Sequence, residues 1–180
     1  TLQHNLATLQ AQLQRRRQDY LLISVDTALA FLLGHGIRPD IVVTIDDAIH
    51  GNRLPAAQSA QTTLVYYPTV PTAALLAWQG PRKTAYSRSP MYQQLRQTLP
   101  KGVLHSGGSV IHPAVDLAVQ MGCRQVILLG TDFPYDQFLP DTPTIQVDTH
   151  AEKLGRPTDV GLAIHAPDKP FTEALLPNLR

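Results

Sequence analysis

The chain of 180 residues has one cysteine, few charged side chains and no long apolar run. The single cysteine, Cys123, excludes an intramolecular disulfide framework and a cysteine-based zinc site. No apolar run approaches the ~20 residues of a membrane helix, and no signal peptide opens the sequence. With 16% charged residues and a net charge of +1, disorder caused by high net charge is also excluded. We therefore expect a cytoplasmic globular protein that binds neither a membrane nor a nucleic-acid polymer.

The charges that are present are unevenly distributed along the chain. Acidic residues are absent from residues 48–115, whereas six basic residues fall there: Arg53, Arg82, Lys83, Arg88, Arg96 and Lys101. From residue 131 onward, eight acids face four bases. A basic region can attract an anionic ligand. A solvated surface of mixed composition explains the same pattern equally well.

Short apolar runs alternate with helical segments over the first 129 residues. The apolar runs predict strands at residues 20–25, 41–45, 62–67, 83–86, 102–105 and 125–129. Helical spacing predicts helices at residues 2–13, 28–34, 71–78, 90–99 and 109–121. Because the best strands are continuously apolar, they are typical of a parallel sheet that is covered on both faces. The pattern predicts an α/β fold, a Rossmann-like, mostly parallel sheet with helices on both faces.

The sequence pattern changes after residue 132. Residues 1–132 are interpreted as the Rossmann-like core, and residues 133–180 as a loop-rich C-terminal extension of the same domain. Seven prolines in the last 49 residues, with few periodic segments, support the second assignment. The sequence begins on a helix, whereas a doubly wound domain normally begins on a strand. We therefore expect the first strand of the fold to lie upstream of Thr1.

The strand assignments also predict where a ligand would bind. In open α/β sheets, ligands bind beyond the carboxyl ends of the strands. Those ends carry Asp26 and Thr27, Asp46 and Asp47, Tyr67 and Pro68, Ser106 to Ser109, and Gly130, Thr131 and Asp132. Three of the five turns contain a carboxylate. We expect all five to lie along one edge of the sheet.

The turn Ser106-Gly107-Gly108-Ser109 is the most informative local feature. It joins a predicted strand to a predicted helix, and its glycines would let the backbone approach a ligand closely. The first N–H groups of the helix favour a phosphate or carboxylate there. The alternative is a tight turn with a serine helix cap and no ligand. The turn is neither a P-loop nor a complete dinucleotide-binding motif.

The acidic strand ends and one histidine are the other candidate groups. Asp46 is suited to binding Mg²⁺ or a ribose hydroxyl, or else it pairs with a base. Asp26 is better explained as a helix cap than as a ligand. For Asp132, a functional role and a role in forming the turn are comparable explanations. His150 could act as a general acid or base, although a surface histidine explains it as well.

Several of these motifs together resemble a known family. In the order and spacing found here, they are similar to the family that joins motility-associated-factor (Maf) glycosyltransferases with MptE-like 6-hydroxymethylpterin diphosphokinases. The resemblance covers roughly residues 1–152 and rests on residues 26–29, 36–46, 106–110, 121–123, 127–133 and 149–151. Residues 106–135 also resemble bacterial lipooligosaccharide sialyltransferases. The family's opening G-x-G-P-S-L loop is matched only in its last two positions, by Thr1 and Leu2.

The resemblance implies a function that we take as the leading expectation. A Maf-like enzyme would transfer a nonulosonic, sialic-acid-like sugar from a CMP-linked donor to a serine or threonine of flagellin, with no required cofactor. The nucleotide would lie over Asp26 and Thr27, the glycine turn (Ser106, Gly107, Gly108 and Ser109), and Gly130 with Thr131. The catalytic candidates would be Asp46, Asp132 and His150, the last by similarity to the sialyltransferases.

Two alternatives remain open at this point. An MptE-like diphosphokinase would transfer pyrophosphate from ATP to a pterin alcohol and would need Mg²⁺, with Asp46 and Asp132 as candidate ligands. The chain could instead be a non-catalytic nucleotide-binding module, because the glycines of the opening loop are absent.

Overall fold

The computed structural model describes residues 3, 6–49, 52–129, 145–148 and 162–165. The chain divides into two compact units. One comprises residues 21–126, and the other comprises residues 1–20 together with 127–180. No helix in the described residues is long and apolar enough to cross a membrane.

The unit of residues 21–126 alternates strands and helices. Its strands are β1 (Ile23–Val25), β2 (Ile41–Thr44), β3 (Thr63–Tyr66), β4 (Arg82–Tyr86) and β5 (Gly102–Val103), and its helices are α2 (Asp26–Gly34), α3 (Thr72–Ala77), α4 (Pro90–Thr98) and α5 (Ile111–Gln120). The helix boundaries have local causes. The backbone of Gly36 at the end of α2 has a positive φ of 72°, and Pro90 occupies the first turn of α4.

The five strands form one sheet in chain order, β1-β2-β3-β4-β5, and every neighbouring pair is parallel. In the register, Ile23 lies opposite Ile41, and Ile41 lies opposite Thr63. The predicted Rossmann-like parallel α/β fold is therefore confirmed. Because the strands all run the same way, their carboxyl ends meet at one edge, which we call the carboxyl edge.

Both faces of the sheet are covered, as predicted. On one face, Val42 and Leu64 of the strands pack with Leu29 of α2 and with Trp78. On the other face, a second cluster joins strand and helix residues: Ile41, Val43, Val65, Tyr67, Ala85, Leu104 and Ala114 of α5. Fully burying a valine, leucine or isoleucine side chain stabilises the fold by roughly 1.5–3 kcal/mol. Alternating strand residues thus supply two separate cores, which is why β2 is buried along its whole length.

The described residues of the second unit include a helix and a small sheet. Helix α1 spans Leu6–Arg16, and a 3-10 turn, Arg17–Asp19, follows it. Strands β6 (Ile145–Asp148) and β7 (Leu162–His165) pair in parallel, with Ile145 opposite Leu162. The sequence did not predict these two strands.

One predicted strand, at residues 125–129, is wrong. The structure assigns no strand to these residues, and Val126 is exposed. An apolar run becomes a strand only where its backbone groups pair with a neighbouring strand. No such ladder reaches residues 125–129 among the described strands.

Candidate functional site

The predicted turns do meet at the carboxyl edge in the unit of residues 21–126. Asp26 follows β1, Asp46 follows β2, Tyr67 follows β3 and Ser106 follows β5. Because these strands are parallel neighbours, their following residues emerge on the same side of the sheet. The edge is where a ligand of this fold would bind, and its residues divide into two differently organised ends.

Asp26 belongs to the framework at the β1–β2 end. Its carboxylate is buried, with one oxygen accepting the Thr27 N–H at 2.6 Å and the other accepting the Thr44 hydroxyl at 2.5 Å. The expectation that Asp26 caps α2 is wrong, because Val25 is the N-cap and Asp26 is the first helical residue. The carboxylate instead ties the end of β1 to the end of β2.

Asp46 is engaged by two protein groups. One carboxylate oxygen accepts the Ala48 N–H at 2.9 Å, and the other forms an ion pair with Arg53 at 2.9 Å. Both side chains of the pair are partly open to solvent, and the neighbouring Asp47 is exposed. A ligand that uses Asp46 must therefore compete with Arg53.

The glycine turn lies at the β5–α5 end. Gly108 has a φ of 89°, a left-handed conformation that a side chain would strain, and the space around it is open. Helix α5 begins beyond the turn with Val110 as its N-cap, so the alternative of a Ser109 cap is wrong. No side chain caps α5, and no acid lies in its first turn. These features leave the positive end of the helix dipole without a compensating carboxylate.

Two histidines flank this turn. The rings of His105 and His112 meet edge-to-face with centroids 5.9 Å apart. Burial, reinforced by the neighbouring His105, lowers the pKa of His112, and a hydrogen bond with the Ser109 backbone opposes this shift only in part. His112 is therefore neutral at pH 7 and can accept a proton.

Tyr67, one of the predicted strand-end residues, and Asp116, which the sequence did not single out, complete this end of the edge. The Tyr67 hydroxyl donates to the Leu104 carbonyl at 3.0 Å. Burial and, next, the charge of Asp116 raise the pKa of Tyr67 to about 12, so it stays a donor at neutral pH. The sequence does contain a signal that could have identified Asp116. An aspartate between Val115 and Leu117 in an apolar helix needs a hydrogen-bond partner if it is buried.

The remaining predicted site residues, Gly130, Thr131, Asp132 and His150, lie outside the described residues. Within the described part of the chain, no group of three histidine, cysteine, aspartate or glutamate side chains could hold a metal ion. Because Asp132 is not among the described residues, the predicted pairing of Asp46 with Asp132 stays a prediction.

Comparison with protein families decides the relationship. The model of the family described as 6-hydroxymethylpterin diphosphokinase MptE-like matches residues 1–138. The chain belongs to the MptE-like family. The matched span contains the whole sheet of this MptE-like domain, together with its glycine turn. The link to Maf glycosyltransferases stays a prediction.

Two curated relatives extend the comparison. The chain is 31% identical over 148 residues to the "Putative thiamine pyrophosphate-containing protein YdaP" of Bacillus subtilis (strain 168), covering 73% of this chain and 25% of that protein. It is 41% identical over 61 residues to the "Uncharacterized 42.6 kDa protein in isoamylase 3'region" of Pseudomonas amyloderamosa, covering 33% of this chain and 15% of that protein. The MptE-like chain thus spans a quarter or less of either relative. No solved structure matches it.

Proposed function

We propose that this chain is the nucleotide-binding part of a transferase that moves a diphosphate group from ATP to the hydroxymethyl group of a pterin, the activity named in its family's description. The observation that carries the proposal is the glycine turn at the carboxyl edge. There, a left-handed Gly108 precedes a helix with no acid in its first turn. Such an arrangement suits the phosphates of a nucleotide.

The charge around the turn supports an anionic ligand. Arg88 follows β4, the strand next to β5, and is exposed. The backbone of Leu104 bonds to Tyr86, so the segments that follow the two strands begin side by side. Because residues 48–115 contain no acid, the acid nearest to the turn in sequence is Asp116, which is buried in α5.

The proposed chemistry balances without a further reactant. The oxygen of the pterin alcohol attacks the β-phosphorus of ATP, and the bond from that phosphorus to the α,β-bridging oxygen breaks, so that AMP leaves. A base takes the proton of the alcohol. His112 is neutral at pH 7 and lies in the first turn of α5, which makes it the candidate for this step among the described residues.

A panel of nucleotides tests the proposal. We expect ATP, supplied with MgCl₂, to raise the melting temperature and to bind at one site by isothermal titration calorimetry. With 6-hydroxymethylpterin present, AMP and the pterin diphosphate should accumulate in equal amounts, as measured by liquid chromatography and mass spectrometry.

The same panel distinguishes the alternatives. Stabilisation by CMP or CDP but not by ATP would overturn the proposal in favour of transfer from a CMP-linked sugar, for which flagellin is the acceptor that the Maf resemblance implies. Binding of ATP without product would favour a nucleotide-binding module. A protein that responds to none of ATP, CMP, CDP and UDP has no nucleotide site of the proposed kind.

A further inference from the structure

Asp116 lies in the middle of α5 and is buried, with only 6% of the residue's surface exposed to solvent. A buried charge is costly unless other groups pair with it or donate hydrogen bonds to it. It also lies near a turn that is proposed to bind an anion, where a negative charge by itself opposes binding. Its presence there therefore calls for a role that compensates for both costs.

The contacts of Asp116 are with the strand side of the glycine turn. One carboxylate oxygen, Oδ2, accepts the backbone N–H of His105 at 2.7 Å and the side-chain amide of Gln120 at 2.8 Å. The same Gln120 amide donates to the Val103 carbonyl at 2.9 Å. Asp116 and Gln120, one helical turn apart, thus tie α5 to β5 and to the first residues beyond it.

Tyr67 also contacts this segment. Its hydroxyl donates to the Leu104 carbonyl at 3.0 Å. Two consecutive residues just before the glycine turn are therefore held by side chains from outside β5: Leu104 by Tyr67, and His105 by Asp116. We call this arrangement the turn clamp.

We infer that Asp116 and Tyr67 are positioning residues that fix the glycine turn in its ligand-binding conformation. The inference rests on the proposed function, because it assigns these two side chains to the same nucleotide site. A binding loop that is fixed before the ligand arrives loses less conformational entropy on binding. A charge-assisted bond from a carboxylate to a backbone N–H holds such a loop more firmly than a neutral bond.

Two substitutions at Asp116 distinguish its role as a hydrogen-bond acceptor for the His105 N–H from the effect of its negative charge on ATP binding. In Asp116→Ala the His105 N–H loses its acceptor, and we expect ATP to bind at least tenfold more weakly by calorimetry. Asp116→Asn keeps an oxygen acceptor and removes the charge, so its affinity should stay within threefold of the parent protein. If both variants bind more tightly, the charge is the main effect and the clamp has no role in positioning.

A second readout requires no ligand. We expect the peptide of residues 104–109 in Asp116→Ala to exchange its amide hydrogens at least tenfold faster than in the parent, as followed by mass spectrometry. Thr62→Val is the matched control, because it removes a buried hydroxyl bond to the Pro39 carbonyl at the other edge of the sheet. The control should change neither the exchange of residues 104–109 nor the affinity for ATP.

The combined results decide the inference. Faster exchange with unchanged ATP affinity, or unchanged exchange, would overturn it. If the parent protein does not bind ATP, the proposed function fails by itself, while the exchange data still show whether the clamp holds the turn. Should Asp116→Ala not fold, Tyr67→Phe replaces it, since this variant removes only the hydroxyl and should also speed exchange and weaken binding.

Discussion

At the β1–β2 end of the carboxyl edge, the first turn of α2 contains its own carboxylate, Asp26, whereas the first turn of α5 at the opposite end contains no acid. Both oxygens of Asp26 accept hydrogen bonds from the protein, so this helix dipole is compensated internally. At the α5 end, the buried Asp116 lies farther along the helix and accepts the backbone N–H of His105, just before the glycine turn.

This difference shows that carboxylates near the carboxyl edge need not share a function. Asp26 joins two strands, Asp46 pairs with an exposed arginine, and Asp116 holds a turn. The α5 end of the carboxyl edge is therefore the end more open to an anion, because its acid, Asp116, is buried within α5 and not placed in the first turn. Four sets of variants test this comparison.

The largest loss of stability is expected from Asp26→Ala. The substitution leaves the fully buried Thr44 hydroxyl and the Thr27 N–H without their acceptor, which costs about 2 kcal/mol. Urea unfolding followed by circular dichroism measures the change. Thr44→Val, which removes only one of the two bonds, should cost less. A loss below about 0.5 kcal/mol for Asp26→Ala would show that the buried bonds do not hold this end together.

Gly108→Ala tests the opposite end against a matched glycine. Gly108 and Gly36 both have positive φ and open surroundings, so either change to alanine should cost about 1 kcal/mol through backbone strain. Only Gly108→Ala should also weaken ATP binding, by tenfold or more, because Gly36 follows α2 away from the carboxyl edge. If the two variants bind ATP with equal affinity, the glycine turn is not part of the ATP site.

Acid should destabilise the α5 end through His112. Its pKa is lowered in the folded protein by burial and by His105, so the unfolded chain binds the proton more readily. The contribution of neutral His112 to the free energy of unfolding is therefore complete above the ordinary histidine pKa of about 6.5. It is lost as the pH falls through the lower pKa of the folded state. Melting temperatures between pH 8 and pH 5 should fall less in His112→Gln than in the parent. An identical decline in both proteins would contradict this assignment.

The smallest effect on stability is expected at the Asp46–Arg53 pair. Because both side chains are partly exposed, Arg53→Gln should change the free energy of unfolding by less than about 1 kcal/mol. If Asp46 serves the proposed transferase, Asp46→Ala should abolish stabilisation by ATP with the fold intact, and Asp47→Ala should not. An unchanged response to ATP in Asp46→Ala would leave Asp46 with only its pairing role.

The sequence predicted the sheet better than it predicted the site. Strands β1 to β5 and helices α2 to α5 were each expected near their observed positions, because apolar runs and helical spacing are local signals. The partner of Asp26 was not predictable in this way. Val25 lies opposite Val43 in the sheet, which places Asp26 beside Thr44, and that pairing depends on a parallel register that no local pattern specifies.

The errors have the same origin. Residues 125–129 have the composition of a strand but no paired neighbour, and β6 and β7 were missed because their pairing joins segments that are weakly patterned. Asp116 lies in α5 and Tyr67 follows β3, and only the tertiary structure brings both to residues 104 and 105. Backbone elements follow from nearby residues, whereas a turn held by distant side chains does not.

The chain-order arrangement of the sheet has a consequence for synthesis on the ribosome. Each strand pairs with the one made immediately before it, at separations such as 18 residues between Ile23 and Ile41 and 17 between Ala85 and Gly102. The sheet can therefore grow strand by strand as the polypeptide emerges. Helix α5 emerges after all five strands, and it both covers one face of the sheet and supplies Asp116. The His105 N–H just before the glycine turn thus gains its carboxylate acceptor only after all five strands have been made, and a nascent chain that ends before α5 lacks this bond.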